Sequence, residues 1–386
     1  MNADKRRLGF ALALAWCLVA VALPAQTTGK TRLYYIAADE AEWDYAPHNM
    51  DHMTGKPFDR RAAIFIERGK NRIGKVYRKA LYREYTDATF QTLKPRPKDQ
   101  EYLGALGPLL RAEVGDSIRI VFKNNASKPY SMHPHGVFYK KDSEGALYAD
   151  GTSGNDKKDD AVPPGGAHTY VWEVPERAGP APRADESSVV WLYHSHVNEP
   201  KDVNAGLIGA MIVTARGQAK ADLSPKDVER EFVTLFMVYD ENQSWYLDHN
   251  ITTYAGDPKS IERGEFSPVD IDGNSQLFIG GGFATVNHKF TINGYLFGNM
   301  PMMTMKKGDR VRWYLITIGD GFNFHSPHWH GNVVLHDKRR TDVLSILAAE
   351  MKVADMVADN PGTWMFHCHI SDHLEAGMHA HYEVLP

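Results

Sequence analysis

The chain has 386 residues, of which 43% are hydrophobic and 24% charged, and its formal net charge is −4. This length suits two or three domains with a substantial core, and the balance of residue types is that of an ordinary globular protein. The small charge and the lack of a run of basic residues argue against a nucleic acid or an acidic membrane surface as partner.

The first 25 residues predict a signal peptide. Lys5, Arg6 and Arg7 precede an apolar run over residues 8–23, and small residues follow near its end. This order is typical of a secretory signal, and the run is too short to span a membrane comfortably. We therefore expect a periplasmic or secreted protein after removal of residues 1–25. The paired arginines leave general and twin-arginine export both open.

Short alternating segments make up most of the remaining chain. Apolar and polar residues alternate, with many β-branched and aromatic side chains, over residues 117–123, 168–174, 208–214 and 310–316. This period of two predicts β-strands, so we expect an all-β protein with a sandwich architecture. Residues 223–231 predict either a short helix or a linker.

The chain also repeats its motifs once. A Gly-Asp step, a predicted strand and His-x-His-Gly occur over residues 115–136 and again over 308–331. The sequence WLYHSH at 191–196 is likewise matched by WMFHCH at 364–369. Two homologous sandwich domains explain this repetition. We place the domains at residues 31–217 and 228–386, joined through a polar stretch.

Ten of the 18 histidines fall into four short blocks. The blocks are His133 and His135; His194 and His196; His325, His328 and His330; and His367, His369 and His373. Residues two apart in a strand share a face, so each His-x-His pair presents two imidazoles to one side. Four such pairs, two in each domain, can supply eight imidazoles to one cavity. Imidazole is a favoured copper ligand.

The fourth block contains one more metal ligand. Cys368 lies between two of its histidines and is the only cysteine outside the predicted signal peptide. In a regular strand its thiol points away from those histidines, toward the remaining ones. Two imidazoles, a thiolate and a weak axial thioether form the ligand set of a blue copper site. The predicted ligands of this site are His325, Cys368, His373 and Met378.

The first repeat lacks this second kind of site. The positions that correspond to the four blue copper ligands carry Tyr130, Ser195, Pro200 and Leu207. None of these side chains suits a blue copper ion. We therefore expect the site only in the second domain, where the cysteine connects it through a few covalent bonds to the neighbouring histidines.

With these motifs, the chain resembles two-domain multicopper oxidases, and closely the domain pairs of ceruloplasmin-type proteins. The resemblance includes residues 34–47, 106–124, 238–254 and 367–378. It implies two cupredoxin-like Greek-key β-sandwich domains and four copper ions per functional unit. These ions are one type 1, one type 2 and a type 3 pair. It also implies electron transfer from a small reducing substrate at type 1 to dioxygen, which is reduced to water.

The resemblance assigns each histidine a copper ion. The type 2 copper would be bound by His133 and His328. The type 3 pair would be bound by His135, His194, His196, His330, His367 and His369. In ceruloplasmin-like proteins the first and last of six domains meet at this cluster. Three two-domain chains supply six domains, so we expect a head-to-tail homotrimer with clusters at the subunit interfaces.

The resemblance leaves the electron donor open. Asp372 matches one acidic position of a ceruloplasmin-type iron site, but two further positions fall on Thr285 and Phe290, which bind iron poorly. His288 lies nearby and is interpreted as a surface residue. A phenol or aromatic amine, as in laccases, is therefore favoured, with ferrous or cuprous ion as the alternative. Asp150 takes the place of an acidic residue near the cluster; it either relays protons or forms an ordinary Asp-Gly turn.

Three weaker signals remain. A cuprous ion could be bound by Met300, Met302, Met303 and Met305, or by His48, Met50, His52 and Met53, but packing is favoured for the first group. His379 and His381 are interpreted as structural. The other classes considered are a copper nitrite reductase and a non-enzymatic copper carrier. The full set of eight imidazoles, and a blue site in the second domain alone, argue against both.

Overall fold

The computed structural model describes residues 29–264 and 282–386, so the predicted signal peptide lies outside the described residues. The strands of the first half are β1 (Thr31–Asp44), β2 (Val76–Tyr85), β3 (Leu110–Glu113), β4 (Ser117–Asn124), β5 (His133–Pro134), β6 (Phe138–Tyr139), β7 (Ala167–Glu173), β8 (Ser188–His194) and β9 (Ile208–Thr214). Those of the second half are β10 (Arg230–Asp240), β11 (His288–Ile292), β12 (Met303–Lys306), β13 (Arg310–Ile316), β14 (Pro327–Trp329), β15 (Val334–His336), β16 (Arg339–Thr341), β17 (Met351–Val357), β18 (Gly362–Cys368) and β19 (His379–Leu385). The helices are α1 (Arg60–Ile66), α2 (Glu199–Ala205), α3 (Leu247–Tyr254), α4 (Phe283–Val286) and α5 (Ser371–Glu375).

The strands form two sheets in each half. The first half has the strand orders β2-β1-β4-β7-β6 and β3-β9-β8-β5, and the second half has β11-β10-β13-β17-β15-β16 and β12-β19-β18-β14. The predicted all-β sandwich architecture is therefore confirmed. In the described part of the chain, no helix has the length and apolar character that a membrane span requires.

The two halves repeat the same pairings. β1 runs parallel to β4, as β10 does to β13, and β3 runs parallel to β9, as β12 does to β19. The antiparallel pair β5–β8 sets His133 opposite His194, and the pair β14–β18 sets His328 opposite His367. Equivalent topology therefore brings the repeated histidine motifs to equivalent places.

Burial follows the period of two in the strands that face solvent on one side. In β4, the side chains of Ile118, Ile120 and Phe122 are fully buried, and the residues between them point outward. Almost the whole of β13 is buried instead, because it also contacts the first half. There, the hydroxyl groups of Tyr314 and Ser188 lie 2.7 Å apart. The charged residue buried within this strand, Arg312, pairs with Asp227 at 2.9 Å and with Asp355 at 2.7 Å.

The stretch that precedes the second half is a linker, and the helical alternative for residues 223–231 is wrong. Leu223 has a φ of 67°, a left-handed conformation that a right-handed helix excludes. The backbone turns back on itself there, with the amide of Lys220 donating to the carbonyl of Ser224 at 2.7 Å. β10 then begins at Arg230.

A buried ion pair joins the two halves. The Lys79 ammonium on β2 lies 2.5 Å from the carboxylate of Glu241, just after β10, and both side chains are fully buried. The ammonium also donates to the carbonyl of Asn204 at 2.8 Å and lies 4.2 Å from the centre of the Tyr239 ring. The Tyr45 hydroxyl donates to the same carboxylate. Each buried charge is thus matched by a partner from another segment.

Replacing Lys79 with alanine is expected to lower the free energy of unfolding by about 3–5 kcal/mol, because it leaves the Glu241 carboxylate buried without its counter-charge. The matched control is Lys94→Ala, which breaks a pair with Glu84 whose lysine is 54% exposed. That change should cost about 0–1 kcal/mol. Urea unfolding of both variants compares the two effects, and equal costs would contradict the account.

Candidate metal centres

The first-half histidines gather at the ends of β5 and β8. Possible ligand atoms of His133, His135 and His194 all lie within 4.8 Å of one another. The Nε2 atoms of His135 and His194 are 3.1 Å apart, so two possible ligand atoms lie close together. The ring of His196 lies 5.2 Å from that of His133 and 5.5 Å from that of His194. All four predicted ligands of this half are therefore brought together.

The second half repeats this arrangement. Possible ligand atoms of His328, His330 and His367 also lie within 4.8 Å of one another. Nε2 of His367 is 3.1 Å from Nε2 of His330 and 3.1 Å from Nδ1 of His328. The ring of His369 lies 5.0 Å from that of His328 and 5.5 Å from that of His367.

Backbone carbonyls orient three of these imidazoles. Nδ1 of His133 lies 2.7 Å from the carbonyl oxygen of Glu144, and Nδ1 of His194 lies 3.1 Å from that of Ser195. Nδ1 of His367 lies 2.8 Å from the carbonyl oxygen of Cys368. A carbonyl can only accept, so each Nδ1 carries the proton and each Nε2 keeps a free lone pair.

A glycine after each His-x-His pair makes room for a tryptophan. Gly136 and Gly331 have φ values of 75° and 72°, which favour glycine. A Cβ atom at these positions would lie 2.1 Å from the Trp191 ring and 2.4 Å from the Trp364 ring. The indoles therefore pack directly on the turn that follows the histidines, which explains why the two motifs recur together.

The predicted blue copper ligands converge in the second half. Nδ1 of His325 and Nδ1 of His373 are 3.2 Å apart, and the Cys368 thiol is 3.7 Å from the latter. Met378 is fully buried beside them. Its amide donates to the carbonyl of His373 at 2.9 Å, and its carbonyl accepts from the amide of Cys368 at 3.1 Å. The structure thus brings His325, Cys368 and His373 together, with the backbone of Met378 next to Cys368 and His373.

Aromatic rings surround this second site. Phe236 lies 5.9 Å from the ring of His325, and Phe290 lies 5.0 Å from the ring of His373. Both phenylalanines are buried, whereas Phe324, at 5.8 Å from the His373 ring, is 48% exposed. The ligands are therefore shielded from water, and Phe324 lies between His373 and the surface.

Burial also sets the protonation of the donor groups. It lowers the pKa of His325 to about 3 and that of His373 and His367 to about 4, so these imidazoles are neutral at pH 7. Burial raises the pKa of the Cys368 thiol, so a metal must displace its proton on binding. Neutral imidazoles with a buried thiol suit copper, whereas Ca²⁺ and Mg²⁺ prefer oxygen ligands.

The apoprotein is expected to lose stability as the pH falls from 7 to 5. Unfolded histidines titrate near 6.5, so below that pH the unfolded chain binds protons that buried His325 and His373 cannot. Stability is therefore complete above pH 6.5 and falls toward pH 4, by about 2 kcal/mol per imidazole between pH 7 and 5. Urea midpoints measure this, and no difference between the two pH values would contradict it. Copper loading should reduce the dependence.

The position in the first half that is equivalent to the blue copper site is occupied by side chains that do not bind metal. The amide of Ser131 donates to the Ser195 hydroxyl at 3.1 Å, as the amide of Ser326 does to the Cys368 thiol at 3.4 Å. The Ser195 hydroxyl in turn donates to the carboxylate of Asp202 at 2.8 Å. The other three corresponding residues are Tyr130 and Leu207, both fully buried, and Pro200 on α2.

Asp202 is a residue that the sequence did not single out. Its carboxylate also accepts from the amides of Val197 and Asn198, each at 3.0 Å, and from the Trp245 indole at 2.8 Å. It thereby holds the turn that follows His196. An acidic residue seven positions after Ser195 gave no signal of this role in the sequence alone.

The two predicted carboxylates are placed differently. Asp150 pairs with Lys157 at 2.8 Å and with Lys141 at 3.0 Å, and these hydrogen bonds hold its pKa well below the usual range. An ionised carboxylate of this kind takes up protons poorly at neutral pH. Asp372 lies partly exposed on α5, and among the described residues its carboxylate has no hydrogen-bond partner. It directly precedes His373.

Each half holds its own set of four imidazoles. Within residues 29–264 and 282–386, the groups of possible metal ligands are confined to one half or the other. In the first half Nε2 of His135 lies near Nε2 of His194, and in the second half Nε2 of His367 lies near Nε2 of His330 and Nδ1 of His328. Each half therefore offers its own group of possible ligand atoms.

Comparison with known proteins extends over both halves. Two family models, each described as multicopper oxidase, match residues 103–218 and 272–386. Human Ferroxidase HEPHL1 is 46% identical over 92% of this chain, and mouse Hephaestin is 43% identical over 93%. Human Ceruloplasmin is 37% identical over 92%. The matches span 29%, 30% and 32% of these relatives, so the chain spans about a third of their length.

Solved structures agree on the fold. The blue copper oxidase from Nitrosomonas europaea matches with a TM-score of 0.55 and 19% identity, over 92% of this chain and 86% of that one. A second structure, titled as a multicopper oxidase, has the same TM-score and identity and is covered over 89% of its length. At 19% identity the similarity is evidence for the fold alone. It indicates that both halves of the chain are cupredoxin-like sandwiches.

Proposed function

The chain belongs to the multicopper oxidase family, with copper as its cofactor, and on this premise we propose that it oxidises a small donor and reduces dioxygen to water. One observation carries the proposal. Cys368 is a buried ligand of the candidate blue copper site, and its chain neighbours are His367 and His369 of the adjacent cluster. A donor site and an oxygen site are thus only a few bonds apart.

The residues have distinct tasks in this scheme. Copper, when bound, supplies one-electron oxidation and reduction and the binding of dioxygen. His325, His373, Cys368 and Met378 would hold the type 1 copper in a pocket whose four ligand side chains are buried. The carbonyl of Cys368 accepts from Nδ1 of His367 at 2.8 Å, which offers the electron a second path beside the peptide chain.

We propose a phenol or aromatic amine as the preferred donor. A donor molecule can pass an electron to the type 1 copper only if some side chain next to that site is accessible from solvent. Phe324 meets this condition, since it contacts His373 and is 48% exposed. Phe322 is 49% exposed and packs on His288, so two aromatic rings extend this surface. A cleft of about 840 Å³ elsewhere, near Trp43, is lined by none of the predicted copper ligands.

Ferrous ion is the second candidate donor, because two of the similar proteins carry the name ferroxidase. Asp372 offers a carboxylate next to His373. The interpretation of His288 as a surface residue is wrong, because it is only 6% exposed, and its ring lies 3.6 Å from a carboxylate oxygen of Asp240. Against this candidate, Thr285 and Phe290 are 5% and 3% exposed and supply no charged ligand at the remaining positions. Cuprous ion is a third donor of the same class.

We also propose how the cluster is completed. Domains at residues 31–217 and 228–386 each hold four imidazoles, and three chains in a head-to-tail ring would pair unlike halves at every interface. The type 2 and type 3 assignments of these histidines remain part of this proposal. The finding that each group of possible ligands lies within a single half of the chain supports it. The proposed location is periplasmic or extracellular, after removal of residues 1–25.

Oxygen consumption by the copper-loaded protein tests the donor. Phenol, ferrous ion and cuprous ion are compared at equal concentration, and we expect the phenol to give the highest kcat/KM. Asp372→Ala should leave the phenol rate unchanged and lower the ferrous rate only if iron binds there. Glu375→Ala, on the exposed side of the same helix, is the matched control. A wild-type rate highest with ferrous ion would favour the ferroxidase, and no oxygen uptake with any donor would contradict the proposal.

A further inference from the structure

A fully buried carboxylate in the first half has no part in the sites described above. Asp159 is 0% exposed, and its Oδ2 atom accepts from the amide of Gly145 at 2.7 Å. Among the described residues, its Oδ1 atom has no hydrogen-bond partner. Its neighbour Asp160 pairs with Lys157 at 2.8 Å, whereas the described part of the chain contains no ion pair of Asp159. A carboxylate is costly to bury in this way, so packing alone does not explain it.

The backbone that this carboxylate holds contacts both His-x-His pairs of the first half. We call residues 144–147 the anchoring segment. The carbonyl of Glu144 accepts from Nδ1 of His133 at 2.7 Å. The amide of Leu147 donates to the carbonyl of His196 at 3.3 Å. One short stretch of backbone therefore contacts one proposed copper ligand from each pair.

A serine connects the same segment to the second pair. The hydroxyl of Ser131 donates to the carbonyl of Gly145 at 2.6 Å and accepts from the amide of His196 at 3.0 Å. Gly145 also lies against the backbone of the first pair, since a Cβ atom on it would lie 3.1 Å from the amide nitrogen of His133. The amide of Gly145 is thus held by Asp159 and its carbonyl by Ser131, so both backbone groups are fixed.

Asp159 is itself held in place by a buried tyrosine. The hydroxyl of Tyr170 donates to the carbonyl of Asp159 at 2.8 Å and accepts from the amide of Met132 at 3.2 Å. Tyr170 and Met132 are both fully buried, and Met132 directly precedes His133. A supporting residue can orient a ligand only if its own position is fixed, and this connection meets that condition.

We propose that Asp159 is a positioning residue for the oxygen-reducing copper cluster: by holding the anchoring segment, it sets the orientation of His133 and the place of His196. The inference rests on the proposed oxidase function, in which both histidines bind cluster copper. A histidine that binds a metal depends on the group that accepts its second ring N–H, and loss of such support lowers metal affinity or activity about 10–100-fold. Asp159 acts on His133 through the carbonyl of Glu144.

Two substitutions of Asp159 separate this role from general destabilisation. Asp159→Ala leaves the amide of Gly145 without its acceptor, so we expect kcat to fall about 10–100-fold. The electron paramagnetic resonance signal of type 2 copper should change in the copper-loaded full chain. The blue band should stay, because all four predicted type 1 ligands lie in the second half. Asp159→Asn should retain nearly wild-type values: burial raises the pKa of Asp159, so a neutral side chain whose oxygen still accepts from Gly145 is a close substitute.

The matched control is Asp116→Ala. Asp116 is another buried carboxylate of the first half, 5% exposed, and it accepts from Arg32 at 2.7 Å and from the amide of Glu113 at 3.0 Å. Its loss removes comparable hydrogen bonds away from the anchoring segment. We therefore expect a lower urea midpoint, with kcat and the type 2 signal unchanged.

Ser131→Ala keeps the test decisive if Asp159→Ala does not fold. It frees the carbonyl of the same Gly145, so the type 2 signal should change again, with a smaller fall in kcat and an unchanged blue band. An unchanged type 2 signal in a folded Asp159→Ala or Ser131→Ala protein would overturn the proposal, and so would an equal fall in kcat in Asp159→Asn or Asp116→Ala. If the wild type takes up no oxygen, the oxidase proposal fails, and the resonance signals still decide whether Asp159 positions copper ligands.

Discussion

Replacing Cys368 with serine is expected to abolish the blue absorption band and to lower kcat by at least about a thousandfold, or about 4 kcal/mol of barrier, for every donor. The thiolate is the ligand that gives a blue copper site its character, and a hydroxyl does not replace it. Ser195 already occupies the equivalent place in the first half, where it donates to Asp202 instead of binding metal. The substitution is small, so the fold should persist.

The control for this prediction is Met378→Leu. The axial thioether is a weak ligand, so its loss should shift the potential and retain both the blue band and much of the activity. Absorption spectra and oxygen consumption of both variants, with copper content measured in parallel, make the comparison. A Cys368→Ser protein that oxidises phenol at the wild-type rate would show that electrons do not enter at this site.

Two variants that are inactive alone are expected to regain oxidase activity when they assemble into one trimer. His135→Ala damages the first-half imidazole set, and Cys368→Ser removes electron entry in the second half. If clusters form between chains, a mixed trimer contains interfaces in which both contributing halves are intact. Random mixing in a head-to-tail ring makes about a quarter of the interfaces intact.

Co-expression of the two variants with different affinity tags, followed by isolation of doubly tagged protein, measures this effect. Every mixed trimer has one intact interface of three, so oxygen consumption of the doubly tagged protein should recover to roughly a third of the wild-type rate per chain, from a background near zero for each variant alone. His135→Ala combined with Cys368→Ser in one chain, co-expressed with itself, is the control. Doubly tagged protein that remains inactive would contradict clusters shared between subunits.

Much of the site could be predicted because its ligands follow local rules. Cys368 and its two neighbouring histidines lie in or beside a strand, where the period of two separates the faces, and the structure directs Cys368 toward His373 as expected. Met378 could be predicted because a short helix, α5, returns the chain within a few residues. The repeated motifs then predicted an equivalent set of imidazoles in the other half.

The remaining features depend on contacts that no local pattern encodes. Leu223 adopts a left-handed conformation that ended the helical alternative, and this depends on the hairpin around it. Lys79 and Glu241 pair across the two halves, and periodicity gives no sign of such a pair. The side chains of His52, His379 and His381 all lie beside Gly298, although His52 is distant from the other two in sequence.

The stoichiometry of oxygen reduction tests the central claim most directly. Purified, copper-loaded protein is given a measured amount of a one-electron donor, and oxygen uptake and hydrogen peroxide are followed together. A type 1 site coupled to a cluster of three copper ions should consume four donor electrons per dioxygen and release no peroxide. Two electrons per dioxygen with accumulating peroxide, or donor oxidation without oxygen uptake, would contradict it.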